Sequence, residues 1–240
     1  MKRGETVQRY LLKEHGSWGV MTIAYLSGLA EGHSAGIRSL AGFLAMALLI
    51  NAKQPLTILM RAAKGAKTLP AMILTLHILL ASLLLTPLYQ IYDLHRLMPY
   101  AVFPAAYLLS LKLFGEHSIT TEVSGFILLS LSALIAKAIS GGGIDSRLFM
   151  VVAVFFVAGV FRVRIQLRRQ LLYRLVMIGY VCIAVPLFYL MGFRTVLLLP
   201  LADNLLFAIT LYRVGLPATG WIEMTKGMLF FLLIAAFGYR

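Results

Sequence analysis

The sequence predicts an all-α fold: a polytopic transmembrane helix bundle of about nine helices, forming one integral membrane domain over residues 1–240. Three observations predict it. First, 60% of the residues are hydrophobic and 13% are charged, whereas a soluble domain is about a quarter charged and under half apolar. Second, nearly uncharged stretches of about 15–20 residues recur along the chain, the length that crosses a bilayer as a helix. Third, lysine and arginine cluster in alternate connections, as the positive-inside rule requires. This pattern excludes a soluble enzyme, a disordered tail, a secreted disulfide scaffold and a nucleic-acid-binding domain. The net charge of +13 therefore points to loops beside anionic headgroups and not to a nucleic-acid partner.

The first twelve residues, MKRGETVQRYLL, are basic at the front but lack an apolar core with a small-residue cleavage site, so no removable signal peptide is expected. The first apolar segment, 17–31, follows Lys13, Glu14, His15, Gly16, Ser17 and Trp18. Ser17 is expected to cap this helix and Trp18 to sit in the interfacial aromatic belt; neither role explains the lysine, glutamate and histidine. The second segment, 37–52, leads to Asn51, Lys53 and Arg61. These two segments are short for a bilayer of about 30 Å and call for tilt or local thinning. The third, 69–88, carries His77, expected as a satisfied core histidine. The fourth is 98–113, and the fifth, 121–140, is entered through Gly115, Glu116, His117 and Ser118. Ser118 and Glu122 share a helix face, and a carboxylate near a helix N-terminus is favourable for the dipole.

Gly141, Gly142 and Gly143 read as a flexible turn before the sixth segment, 147–164. An arginine run follows that segment: Arg162, Arg164, Arg168 and Arg169. It has two readings, a topology determinant on anionic lipid or a cluster that captures phosphate through planar donors. The seventh segment, 172–191, contains the lone cysteine, Cys182, read as a packing residue that leaves no internal disulfide. The eighth, 195–213, holds Asp203 and Asn204 at mid-membrane, three residues after Pro200. An ionisable residue there marks a functional site by default, against the alternative of a structural pair bonded to a neighbouring helix; the proline frees a carbonyl and loosens the helix locally. The ninth segment, 222–239, begins beside Glu223, expected as a first-turn carboxylate.

With the N-terminus placed in the cytoplasm, only Arg38, Arg96, Lys137, Arg147, Arg194 and Arg240 of the 22 lysines and arginines fall outside. The expected location is thus a cell (inner) membrane, multi-pass, N-terminus cytoplasmic and C-terminus outside. No phosphate loop, dinucleotide fingerprint or His-Glu-x-x-His site is present. A haem between two histidines lacks a partner for His77 at similar depth. No cofactor and no metal site are therefore expected.

KEHGSWGVMTIAYLSG at 13–28 resembles the opening of the YwiC-like membrane proteins, which typically read Lys-Gln-His-Gly-Ala-Trp before a short apolar helix. GEHSITTEVSGFILLSLSALIA at 115–136 and RVGLPATGWIEM at 213–224 resemble two further segments of that family. Glu14 and Ser17 depart mildly from its glutamine and alanine. A more distant likeness is to the UbiA superfamily of intramembrane prenyltransferases, which implies a UbiA-like arrangement of nine helices. That superfamily carries Asp-rich magnesium motifs after helices two and six. Here the matching stretches, NAKQPLTILMR and FRVRIQLRR, contain no carboxylate, so a magnesium mechanism is not carried over.

The resemblance implies a multi-pass protein that binds an amphipathic anionic or isoprenoid-type lipid in a cytoplasm-facing cavity. Lys13, His15, Trp18, Asn51, Lys53, Arg61, Glu116, His117, Glu122, Arg162, Arg164, Arg168, Asp203 and Asn204 are its candidate ligand-binding residues. Catalysis stays open; an enzyme of this kind would be a prenyltransferase-like transferase. The alternatives are a non-catalytic subunit of a respiratory or other membrane complex, and a small transporter using Asp203. The partners expected are the lipid bilayer, a lipid ligand of that class and, on the subunit reading, a membrane-complex partner.

Overall fold

The computed structural model describes Tyr10 and residues 14–32, 34–61, 67–92 and 94–238. The first apolar segment forms α1 (His15–Ala30). The second forms α2 (Ile37–Asn51) and, past a turn at Ala52, α3 (Lys53–Arg61). Then come α4 (Thr68–Ile91), a 3-10 stretch (Leu94–Ala101) running into α5 (Val102–Phe114), and α6 (Ile119–Lys137) with a π-helical turn (Ala138–Gly142). After these lie α7 (Ser146–Arg168) and α8 (Leu171–Leu190). A second 3-10 stretch (Thr195–Leu201) enters α9 (Ala202–Thr210), and α10 (Leu216–Phe237) follows. Among the described residues every expected segment has its helical unit, and seven of the units are long and apolar enough to cross a membrane.

Local chemistry sets the boundaries. Pro55 has no N–H to return to the Asn51 carbonyl, and the chain turns at Ala52 just ahead of it. The helical run nevertheless continues to Arg61, 25 residues in all. The second segment is therefore not short; the short units are α1 and Thr195–Thr210. Ser118 caps α6 by accepting from the Thr121 amide at 3.1 Å. Asp145 caps α7 by accepting from the Arg147 and Leu148 amides at 3.0 and 3.2 Å. Ser17 does not cap α1: it lies inside the first turn and donates to Glu14 Oε2 at 2.7 Å. Pro200 sits in the 3-10 stretch, so the chain is not α-helical until Ala202.

The central helix is α7, whose apolar residues are buried along nearly its whole length. Phe155 stacks flat on Phe230 of α10, ring centroids 3.9 Å apart. Across the α1–α6 seam Gly28 meets the Ala133 backbone, and a Cβ there would collide with the Ala133 carbonyl. Ser132 of α6 donates to the Met21 carbonyl of α1 at 3.0 Å. Close approach through small residues is how membrane helices gain packing when lipid supplies no hydrophobic drive. By contrast, Leu79 and Leu83 of α4 and Ile183 and Leu190 of α8 point outward. Cys182 does so as well, which corrects its reading as a packing residue: it lies on the outer face of α8.

The bundle has two polar ends. Glu14, Glu116, Glu122 and Arg164 mark one, called here the Glu14 end. The opposite end holds Glu31, Lys137 and Asp145, with Lys137 Nζ 2.7 Å from Asp145 and 3.7 Å from Glu31. Both α1 and α10 start at the Glu14 end, since Gln166 in the last turns of α7 donates to the Val214 carbonyl ahead of α10. Glu31 at the end of α1 lies at the opposite end, so α1 crosses the bundle, and the even number of passages between the two starts makes Thr195–Thr210 a crossing as well.

Candidate functional site

Three polar layers lie at or below the Glu14 end. The outermost joins α1, α3 and the α5–α6 connection. Lys53 Nζ is 2.7 Å from Glu14 and 3.9 Å from Glu116, and Arg61 is 2.7 Å from Glu116. Burial by itself would raise the Glu14 carboxyl. Hydrogen bonds from Lys53 and Ser17, with the charges of Lys53 and His117, outweigh that and hold it below the ordinary carboxylate value. The buried Tyr107 hydroxyl has no hydrogen-bond partner among the described residues.

The second layer is Arg164, buried at the end of α7. Its Nε and Nη2 reach Glu122 at 3.0 and 2.6 Å, and Nη2 also donates to the His117 carbonyl at 2.6 Å. Glu122 lies in the first turn of α6, so it receives both the helix dipole and a guanidinium.

The third layer lies deeper. Arg162 is fully buried, and its guanidinium pairs with Asp203, with Glu223 at 3.4 Å, with the Tyr212 hydroxyl at 2.6 Å and with Asn204 at 3.4 Å. It also lies over the Phe207 ring, 4.8 Å from the centroid. Lys226 bonds Asn204 and Glu223 and is 3.6 Å from Asp203. Two cations thus meet two carboxylates, which is the condition under which charge survives burial.

These positions revise two expectations. The arginine run does not follow the sixth helix but belongs to it: Arg162, Arg164 and Arg168 are in the last turns of α7, and carboxylates from α6, α9 and α10 allow the first two to be buried. Glu223 is not in a first turn. Pro217 lets α10 begin at Leu216, and Glu223 stands two turns in.

A cavity of about 260 Å³ is bounded by α1, α6, α7 and α10 and runs from Gly16 and Leu216 down to Phe156. Its walls include Val20, Ile23, Phe126, Phe156, Val163 and Met224; Gly16, Gly159 and Gly220 widen it; and Glu223 is in its wall.

The structure thus brings together Lys53, Arg61 and Glu116 in one layer, Glu122 and Arg164 in a second, and Arg162, Asp203 and Asn204 in a third. His117 contributes its main-chain carbonyl, and its side chain is exposed. His15 and Arg168 are exposed. Trp18 packs inward beside Met21, Tyr25 and Met46, and the Asn51 amide donates to Ala47 of its own helix at 3.0 Å. Lys13 lies outside the described residues. His77 bonds the Ile73 carbonyl at 2.8 Å. Residues outside the expected set complete the layers: Glu14, Tyr212, Glu223 and Lys226. Lys226 carried a readable signal, an ammonium three residues after Glu223 inside an apolar run.

A helical bundle with seven membrane-length apolar units among the described residues, and charged layers inside it, defines a multi-pass membrane protein. The profile of the YwiC-like proteins matches residues 11–137, more than half of the chain, and the protein belongs to the YwiC-like family. The match takes in α1 through α6, with Glu14, Lys53, Glu116 and Glu122; Arg162, Arg164, Asp203 and Glu223 lie beyond it. No curated protein and no solved structure matches the chain.

Proposed function

We propose that the chain is a single integral membrane domain that binds an amphipathic, isoprenoid-type lipid, with its Glu14 end in the cytoplasm of an inner-membrane protein. The observation that carries this reading is the cavity itself. Apolar side chains from four helices wall it, and Glu223 is the charged side chain among its described lining residues. A pocket of apolar surface with a few placed polar groups is the form that lipid and cofactor sites take. The orientation rests on the excess of lysine and arginine at the connections of this end.

The UbiA-like arrangement is part of the same proposal. It is supported by nine traverses and by the meeting of the first, second, fifth and sixth units at the Glu14 end. A strongly anionic head fits less well than expected from the arginine run, because the nearby cations already face carboxylates. Asp203 likewise is engaged by Arg162 and Tyr212, which favours a structural role over a transport site.

Mass spectrometry of lipid co-purified with gently solubilised protein tests the reading. A Cβ on Gly220 meets nothing within 4 Å, so Gly220→Leu fills the cavity without a backbone clash. One lipid class enriched with the native chain and lost from a monodisperse Gly220→Leu variant is the expected result. An identical lipid complement in both would overturn it.

A further inference from the structure

We infer that Glu223 is the headgroup anchor of the cavity and that the head it receives is an uncharged hydroxyl. This inference rests on the lipid-binding reading and narrows it.

The carboxylate is fixed from behind. Oε1 lies 3.4 Å from Arg162 Nε and 2.5 Å from Lys226 Nζ. Oε2 turns the other way and bonds no described residue. It faces Gly159, where an added Cβ would stand 3.0 Å from it. Both Gly159 and Glu223 line the cavity, so the absent side chain at Gly159 leaves Oε2 open to it. The other polar side chain in the wall, Thr219, spends its proton on Gln166 Oε1 at 2.5 Å, and Gln166 donates to the Val214 carbonyl at 2.7 Å. The described lining therefore offers one charged acceptor, held by two cations.

Charge balance selects the head. Behind the cavity, Arg162 and Lys226 already match Asp203 and Glu223. A phosphate or diphosphate would bring a second anion to Oε2. An ammonium would add a third cation to a neutral group of four. Either leaves an uncompensated charge in a low-dielectric site, which is costly. A hydroxyl donates one proton to the carboxylate and leaves the balance unchanged, and hydrogen bonds to an ionised acceptor are the stronger kind. The apolar remainder then meets Val20, Phe126 and Phe156.

The test uses one tail with three heads. Farnesol, farnesyl diphosphate and farnesylamine are titrated against the full chain in detergent and bound ligand is counted by native mass spectrometry. Farnesol is expected to bind at the lowest concentration. Glu223→Gln, which removes the charge and keeps an acceptor, should weaken it about tenfold. Gly159→Ala keeps every charged group and sets a methyl against Oε2; it should weaken farnesol similarly, and it decides the matter if Glu223→Gln fails to fold. Tighter binding of the diphosphate or the amine, or farnesol binding indifferent to both substitutions, overturns the hydroxyl assignment while leaving a lipid cavity in place. Failure of all three to bind the native chain sinks the cavity reading as well.

Discussion

Arg164 and Glu122 stand 42 positions apart in sequence, yet the guanidinium reaches that carboxylate through two nitrogens while also holding the His117 carbonyl. One side chain thereby ties the end of α7 to the start of α6. Arg164→Ala strands a carboxylate and a carbonyl and should cost about 2 kcal/mol, the scale of hydrogen bonds to charged groups. Arg164→Lys should recover part of this, since an ammonium lacks the planar fork. Thermal unfolding in detergent checks both; equal midpoints for Arg164→Ala and the native chain would contradict the role.

The Arg162 layer makes a sharper demand. Arg162→Met leaves Asp203 and Glu223 to share Lys226 alone, one negative charge in excess, and should cost about 3–5 kcal/mol. Adding Asp203→Leu should return part of that loss, so the double-mutant cycle should show coupling of about 1 kcal/mol or more. Strict additivity would mean that Arg162 and Asp203 do not share an interaction.

At the α1–α6 seam, Gly28→Val drives a side chain into the Ala133 carbonyl. Overpacking on that scale costs about 1–3 kcal/mol. Gly16→Ala, whose Cβ meets nothing within 4 Å, is the matched control and should leave the unfolding midpoint in place.

The two polar ends should respond to pH in opposite senses. Glu14 is held below its ordinary value of 4.5, so its stabilisation is full above that value and is lost as pH falls through the depressed folded value. Glu14→Gln should therefore destabilise at neutral pH and make no difference in acid. Glu31 is raised, by burial first and then by Asp145, with Lys137 opposing. Its contribution is present below 4.5 and is lost as pH rises through the raised value. Glu31→Gln should then be neutral or stabilising at neutral pH. Parallel unfolding curves for the two variants from acid to neutral pH would refute the assignment.

The orientation is open to thiol labelling. In a Cys182→Ser background, cysteine at exposed Ser34 should react from outside and at exposed Gln170 from inside. Reaction of both from one side would break the proposed topology.

How far the chain could be read from its residues alone differs between fold and site. Hydropathy located every helical unit, because an apolar run needs no partner to be recognised. Ends were missed where distant residues decide them. The sixth unit runs past its apolar part to Arg168 because Glu122, Asp203 and Glu223 make burial of arginine tolerable. The ninth starts at Leu216, since a proline that reads as a turn is also well placed in a first helical turn. Within the site, Arg162, Arg164 and Asp203 stood out as charges in apolar surroundings. Which acid each cation meets depends on how α6, α7, α9 and α10 rotate against one another, and spacing along the chain carries no record of that rotation.

The buried square of Arg162, Asp203, Glu223 and Lys226 also imposes an order on how the protein is made. During synthesis α7 enters the bilayer with its arginine, and α9 with its aspartate, before α10 exists to bring Glu223 and Lys226. An unpaired charge in a membrane helix costs about 2.5–3.5 kcal/mol on the insertion scale, so the nascent chain carries this penalty at Arg162 until α9 brings Asp203; Glu223 and Lys226 then arrive already paired. The arrival of α10 then closes the cavity and completes the square. A polypeptide stalled short of α9 keeps its arginine without a carboxylate from the later helices.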